Sequence, residues 1–457
     1  MKLSVYVVLS ALVFFSASIE ARTKVHPHPT QPTQEQSAAA TPPSPAEATP
    51  ALAQSTATPN PNLPTPEPVH TTAALPVPGA GAGPTPPPPA IDAKSWVLMD
   101  YASGQILASD NPDLRVAPAS ITKMMTSYVV SAELAHGKIH LDDPVFISER
   151  AWRSGGAGTD GSTSFLQLNS KVPLKDLLYG MIIQSGNDAA IALAEHTAGS
   201  EETFALLMNQ YAARIGMTGT HFVDASGLPN PNHYMTAHDV ALMSRALIHD
   251  YPEEYKIYAI KEFEWNAIKQ HNRNTLLWRD ASVDGIKTGH TSEAGFCLAT
   301  SAKRGDQRLI AVVMDAPSEK QRANDNQELL NYGFRFFETR KLYAANQPLA
   351  TPELWKGAVA NVPLGLADDV LITFPRGRYA DLKASLGIPA RLIAPITKGN
   401  AIGTLKVQLG AKTLLERPLI ALADGAEGGF FKRLSDAAWM WFKGDPGSNI
   451  SAAPQGN

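Results

Sequence analysis

Apolar residues recur at intervals of three and four in several stretches, and this period predicts helices over 119–135, 174–183, 188–198, 201–215, 236–248 and 320–339. Elsewhere the apolar runs are short. Ser95-Trp96-Val97-Leu98-Met99 and Gln105-Ile106-Leu107-Ala108 flank a turn over 100–104 and predict a hairpin. Residues 295–302 and 308–314 predict two more strands, joined by a turn over 303–307. Strands at both ends with helices between predict an α+β domain, an antiparallel sheet packed on a helical cluster. After about residue 350 the helical period is lost. Short strand candidates at 370–374, 391–394 and 405–409, separated by Pro and Gly, predict a small all-β domain.

The two ends of the chain depart from this pattern. Met1 and Lys2 precede an apolar run over 3–17, interrupted by Ser4, Ser10 and Ser16, with small residues at Ala17, Ser18 and Ala21. The run is shorter than the ~20 residues a spanning helix needs. Residues 1–21 therefore read as a secretory signal peptide, with an uncleaved anchor as the alternative, and either exports the rest of the chain. Residues 22–90 hold 19 of the 36 prolines and no Ile, Phe, Tyr or Trp. Such a segment cannot bury enough apolar surface to offset its ordering entropy, and it reads as a disordered, partly polyproline linker. Near the other end, a helical wheel puts Phe430, Phe431, Leu434, Ala437, Ala438, Trp441 and Phe442 on one face, with Lys432, Asp436 and Lys443 opposite. That arrangement suits a helix lying in a membrane interface. Docking on the protein's own surface is the alternative. The predicted organisation is a signal peptide (1–21), linker (22–90), α+β domain (91–345), small β domain (346–426), amphipathic anchor helix (427–444) and disordered tail (445–457).

Composition narrows the function. A net charge of -4 supplies no basic field for nucleic acid. The one cysteine, Cys297, excludes an internal disulfide and a Cys-based metal cluster, and reads as a buried structural thiol. No metal or nucleotide motif is present, so no cofactor is expected.

The candidate chemistry lies in three short motifs. Ser120-Ile121-Thr122-Lys123 opens a predicted helix just after Pro118, and a spacing of three puts Ser120 and Lys123 on one face. A serine hydroxyl needs a neighbouring base to take its proton, and a lysine can serve if burial keeps its amine neutral. The helix N-terminus offers backbone N–H groups where an oxyanion would form. Taken alone, this pattern equally describes a helix start with a surface lysine. Ser185-Gly186-Asn187 sits between two predicted helices, and by itself is a capping turn. Lys287-Thr288-Gly289 precedes the strand at 295–302, and by itself is a hairpin edge. Together and in this order they form the set shared by class A β-lactamases and penicillin-binding proteins.

The chain resembles the low-molecular-mass penicillin-binding proteins, serine-type D-alanyl-D-alanine carboxypeptidases with a penicillin-recognising serine transpeptidase/β-lactamase-like fold. The resemblance runs from about residue 95 to 442 and rests on the segments 118–128, 185–190 and 284–291. It implies that Ser120 attacks the carbonyl between two D-alanines, that Lys123 accepts its proton, and that Ser185 relays a proton to the leaving amine. It further implies that Asn187 binds the peptide backbone, that Lys287 helps to keep Lys123 neutral, and that Thr288 with Arg322 holds the terminal carboxylate. The backbone N–H groups of Ser120 and His290 would form the oxyanion hole. The implied partners are the peptidoglycan pentapeptide stem, β-lactams as covalent inhibitors, and inner-membrane lipid through the terminal helix, on the periplasmic side. The Pro-rich linker departs from the family's pattern.

Three other functions fit parts of this pattern. A β-lactamase of class A needs a Glu-x-x-x-Asn loop soon after Ser-x-Asn, and the candidate here, Glu262 to Asn266, comes late in the chain. A D,D-endopeptidase would use the same machinery on crosslinks. A catalytically silent wall-binding module would have no need of the paired lysines.

Overall fold

In the computed structural model of the protein the described residues are 69–75, 85–155 and 161–442. The predicted signal peptide, most of the linker, Lys443, Gly444 and the tail lie outside them.

Strands β1 (Ser95–Asp100), β2 (Ile106–Asp110), β3 (Val283–Thr291), β4 (Gly295–Arg304) and β5 (Gln307–Ala316) form an antiparallel sheet in the order β2-β1-β5-β4-β3. Side chains alternate across it. Val97, Met99, Ile310, Val312 and Met314 face the helical cluster, whereas Trp96, Leu98, Leu309, Ala311 and Val313 pack with Leu329 and Leu330 on the other side. Each fully buried Leu or Met contributes about 1.5–3 kcal/mol. Because both faces are covered, β1 and β5 read in the sequence as continuous apolar runs.

At the centre of the cluster a 3₁₀ turn, Ala119–Thr122, leads into α1 (Lys123–Ala135). Every residue from Lys123 to Glu133 is buried, so α1 is enclosed on all sides and not only along its apolar stripe. Next come a π turn, Gly180–Gln184, and α2 (Asn187–Ala198), with Ser185 between them in the left-handed region at φ 69°. The strand carrying Lys287-Thr288-Gly289 is β3 itself, the edge strand of the sheet, and Thr288, Gly289, His290 and Thr291 of that strand line a cleft.

Two expectations change here. The late helix, α3 (Glu319–Phe336), ends three residues early. Strand β6 (Phe337–Tyr343) takes over and pairs antiparallel with β7 (Val370–Pro375). The second domain therefore begins near 337, and not at 346. Its backbone partner lies some thirty residues on, which a local periodicity count cannot register. The linker prediction also needs correction, because Val69–Leu75 lies as a strand along β8 (Leu382–Pro389). Those seven residues are free of proline and are bounded by Pro68 and Pro76, which cannot donate to a ladder. The sheet continues through β9 (Ala401–Leu409), β10 (Lys412–Ala421) and the short strand Leu364–Gly365. Together these make the predicted all-β domain. The terminal helix, α4 (Phe430–Phe442), follows it.

Candidate active site

The three motifs converge on one cleft of about 510 Å³, lined among others by Ser120, Ser185, Asn187, Thr288, Gly289, His290 and Arg322. Ala119 enters the nucleophile turn at φ 48°, a left-handed conformation an alanine adopts only when its surroundings impose it. Gly227 imposes part of it, packing so closely that a Cβ there would lie 1.8 Å from Ala119 O.

Lys123 is completely buried, and its Nζ stands 2.9 Å from Ser120 Oγ, 2.6 Å from Asn187 Oδ1 and 2.6 Å from Ser226 O. Burial lowers its pKa to about 7; Asp224 opposes this and the Arg273 guanidinium adds to it. A neutral amine has two N–H bonds and one lone pair. Asn187 Oδ1 and Ser226 O are pure acceptors and take both N–H bonds, so the lone pair is left for the Ser120 hydroxyl. The oxygen of Asn187 is thereby occupied, and what this side chain offers a ligand is its amide NH2.

Lys287 Nζ donates to Ser185 Oγ at 2.9 Å and to Thr288 O at 3.2 Å. Its pKa is held well below the usual lysine value, by burial first and then by Lys123, Arg273 and Arg322. Two buried lysines thus stand behind the cleft, each bonded to a serine that lines it. His290 lines it too, while its ring stacks on Phe296 at 3.9 Å and its Nδ1 lies 3.0 Å from Gly295 O, holding the end of the β3–β4 hairpin. Arg322 is buried. Its Nη1 donates to Gly289 O at 2.9 Å and to Cys297 O at 3.4 Å, so it braces β3 against β4 as well as lining the cleft. The Cys297 thiol is buried, pushed up to about 12 by that burial, and donates to Ala294 O, as a structural thiol does.

Sequence reasoning missed four contributors. Arg273 is an exposed cation at the cleft. It follows a β-hairpin, Glu262–Trp265 and Ile268–His271, and belongs to no motif. Ser226 acts through its backbone carbonyl, which leaves no signature in side-chain identity. Asp224 and His233 hold the turn around Ser226. The Glu-x-x-x-Asn candidate is resolved by the same hairpin. Glu262 pairs with Lys269 and His271, and Asn266 sits in the turn at φ 51°. Among the described residues lining the cleft, Glu293 carries the one carboxylate.

Residues 82–318 match the D-alanyl-D-alanine carboxypeptidase family of peptidases, S11, and residues 337–427 match the C-terminal domain of penicillin-binding protein 5. The chain is 47% identical to D-alanyl-D-alanine carboxypeptidase DacC of Escherichia coli over 356 residues, 77% of this chain and 89% of that protein. The crystal structure of penicillin binding protein 5 from Haemophilus influenzae superposes with a TM-score of 0.72 at 45% identity, covering 75% of this chain and 99% of that one. The cefotaxime-bound penicillin-binding protein D2 of Listeria monocytogenes matches at a TM-score of 0.50 and 28% identity, over 55% of this chain and 100% of that one.

Proposed function

The chain belongs to the D-alanyl-D-alanine carboxypeptidase family, as a penicillin-binding serine hydrolase, and from that premise we propose how its residues divide the reaction. The observation that carries the reading is the amine of Lys123, saturated by two carbonyl acceptors and aimed at Ser120. Ser120 Oγ attacks the carbonyl carbon between the two D-alanines while its proton passes to Lys123. Ser185, bonded to Lys287, hands a proton to the amine of the departing D-alanine as the C–N bond breaks. The Lys123 ammonium returns its proton to Ser185, so both groups are reset. Neutral Lys123 then takes a proton from water, whose oxygen attacks the ester carbonyl. That proton passes to Ser120 Oγ as the C–O bond breaks and the shortened peptide leaves.

Substrate placement follows from the edge position of β3. The stem peptide lies along it as an extra strand, with the Asn187 amide donating to a peptide carbonyl. Thr288 and Arg273 receive the terminal carboxylate, and Arg322 supports them from behind. The N–H groups of Ser120 and His290 receive the oxyanion. A β-lactam acylates the same serine. Among the described residues lining the cleft none belongs to a Glu-x-x-x-Asn loop, which supports a long-lived drug ester.

The same reading places the enzyme on the periplasmic face of the inner membrane. Signal-peptide character in residues 1–21 supports export. Helix α4 supports interfacial anchoring, because its buried residue is the polar Asp436, whereas Phe431, Trp441 and Phe442 are each more than 80% exposed. Among the described residues no helix is long and apolar enough to cross a membrane.

Mass spectrometry of the intact protein with penicillin tests the chemistry. A stable adduct on the wild type, absent from Ser120→Ala, with D-alanine released from a pentapeptide far faster than crosslinked dimers are cut, is expected. Rapid turnover of the drug, or an adduct that survives the substitution, would sink it.

A further inference from the structure

We propose that His233 is a positioning residue for the Ser120–Lys123 pair, acting through a closed circuit of contacts that begins and ends inside the Ser-x-x-Lys turn. His233 Nε2 lies 2.9 Å from the hydroxyl of Thr122, the residue just before Lys123, and its Nδ1 lies 3.2 Å from Asp224 Oδ2. The other carboxylate oxygen, Oδ1, accepts the Ser226 N–H at 2.7 Å, the Ser226 hydroxyl at 3.0 Å and the Gly227 N–H at 2.6 Å. The turn so gathered presents Ser226 O to Lys123 Nζ at 2.6 Å. Thr122, Lys123, Ser226 and His233 are buried and the Asp224 side chain is 16% exposed, so bulk water has limited access to these contacts.

The physical need for such a circuit comes from the amine. Lys123 acts as a base only while both N–H bonds are taken and the lone pair points at Ser120. Asn187 Oδ1 sits at the start of α2, but Ser226 O belongs to an irregular loop with no ladder to fix it. Asp224 is the loop's organiser, and the ring of His233 fastens that organiser to the nucleophile turn. Burial alone would raise the Asp224 carboxyl, yet His233 together with the Gly227 and Ser226 N–H groups holds it down at about 2, as a permanent acceptor. His233 does not line the cleft, so it touches no substrate and its effect is indirect. The loop has further holds, Thr126 Oγ1 to Ala225 O at 2.6 Å and the Ala225 N–H to Glu201 Oε1 at 3.1 Å, which keep the fold in place when the ring is removed.

The inference rests on Lys123 being the base for Ser120, which loss of penicillin acylation in Lys123→Ala tests separately. The experiment uses the full chain and follows acylation by labelled penicillin and D-alanine release across pH. Its variants are His233→Ala, Thr122→Val and the double variant. His233→Ala should slow acylation about ten- to a hundredfold, the range for an orienting partner behind a functional group, with KM for the peptide nearly unchanged. Its acid limb should move to higher pH, because a loosened Ser226 admits water to an amine now faced by Asp224, Arg273, Asp188, Glu201 and Lys287. Thr122→Val, which keeps shape and removes the hydroxyl, should give the same direction of shift, and the double variant should be no worse than the worse single. Wild-type acylation with an unmoved acid limb in His233→Ala would overturn the proposal. If that variant fails to fold, an unmoved limb in Thr122→Val overturns it instead, as do losses that simply add.

Discussion

Asn187 Oδ1 lies 2.6 Å from Lys123 Nζ, so the Ser-x-Asn and Ser-x-x-Lys motifs, 64 positions apart, meet at one amine. The bond gives Asn187 two tasks. Its oxygen orients the base, and its NH2 is what remains for the substrate. Asn187→Asp should separate them, because a carboxylate at this distance favours the charged ammonium. We expect acylation to fall steeply near neutral pH and its acid limb to rise by at least about one pH unit, with activity partly recovered in alkali. An acid limb at the wild-type position would show that Asn187 serves the substrate alone.

The pH dependence of the unmodified enzyme follows from the same amine. Burial places the Lys123 pKa at about 7, below the usual lysine value, so the neutral, base-competent form fills as pH rises through that region. The acylation rate should therefore climb about tenfold per unit on the acid side and level off above about pH 8. Stopped-flow acylation with labelled penicillin, where substrate release does not intervene, reads this limb directly.

Gly227 is where the two sides of the nucleophile turn touch. It takes φ 84°, and an added Cβ would fall 1.8 Å from Ala119 O and 2.7 Å from Thr122 Oγ1. Gly199, at φ 80° past the end of α2, has nothing within 4 Å of that position. Gly199→Ala should cost only the conformational penalty of about 1 kcal/mol. Gly227→Ala adds a backbone clash, for a total of about 3 kcal/mol or more, and displaces Ser120. Thermal unfolding together with acylation rates compares the two. Equal losses of stability with activity intact in Gly227→Ala would refute the close approach.

Much of this site was legible in the sequence, and the parts that were not share a cause. Ser120, Lys123, Ser185 and Lys287 announce themselves through fixed spacings within short motifs, and the helix over 201–215 is found with the bounds its apolar period predicts. Ser226 contributes a carbonyl, which any residue type supplies. Arg273 reaches the cleft only because a hairpin folds back, and Arg322 is occupied by two carbonyls that sequence cannot place beside it. In the second domain, β8 and β10 went unpredicted because their alternation is imperfect and their partners are distant. The strand at 69–75 was hidden by the prolines around it.

The terminal helix carries the last prediction. Asp436 is 4% exposed; one of its oxygens accepts the Lys356 N–H at 2.7 Å and the other the Lys432 ammonium at 2.7 Å. Burial alone would raise this carboxyl; Lys432 and the Lys356 N–H outweigh it and hold the pKa below the usual range. A helix docked on its own protein for stability would bury its aromatic residues and expose its charges. Here the buried residue is Asp436, and Phe431, Trp441 and Phe442 are largely exposed, while Phe430 and Leu434 border a groove shared with Ile393 and Ala394. Removing residues 428–457 should therefore abolish binding to anionic vesicles while leaving D-alanine release from a soluble pentapeptide unchanged. Phe431→Ser with Trp441→Ser should weaken vesicle binding at least about tenfold, since two aromatic anchors are lost. Asp436→Ala should act differently, retaining vesicle binding but exposing the helix to protease in solution, because it breaks the docking and spares the lipid-facing side. Co-sedimentation and limited proteolysis distinguish these outcomes, and a truncated chain that still sediments with vesicles would mean that another part of the protein holds it to the membrane.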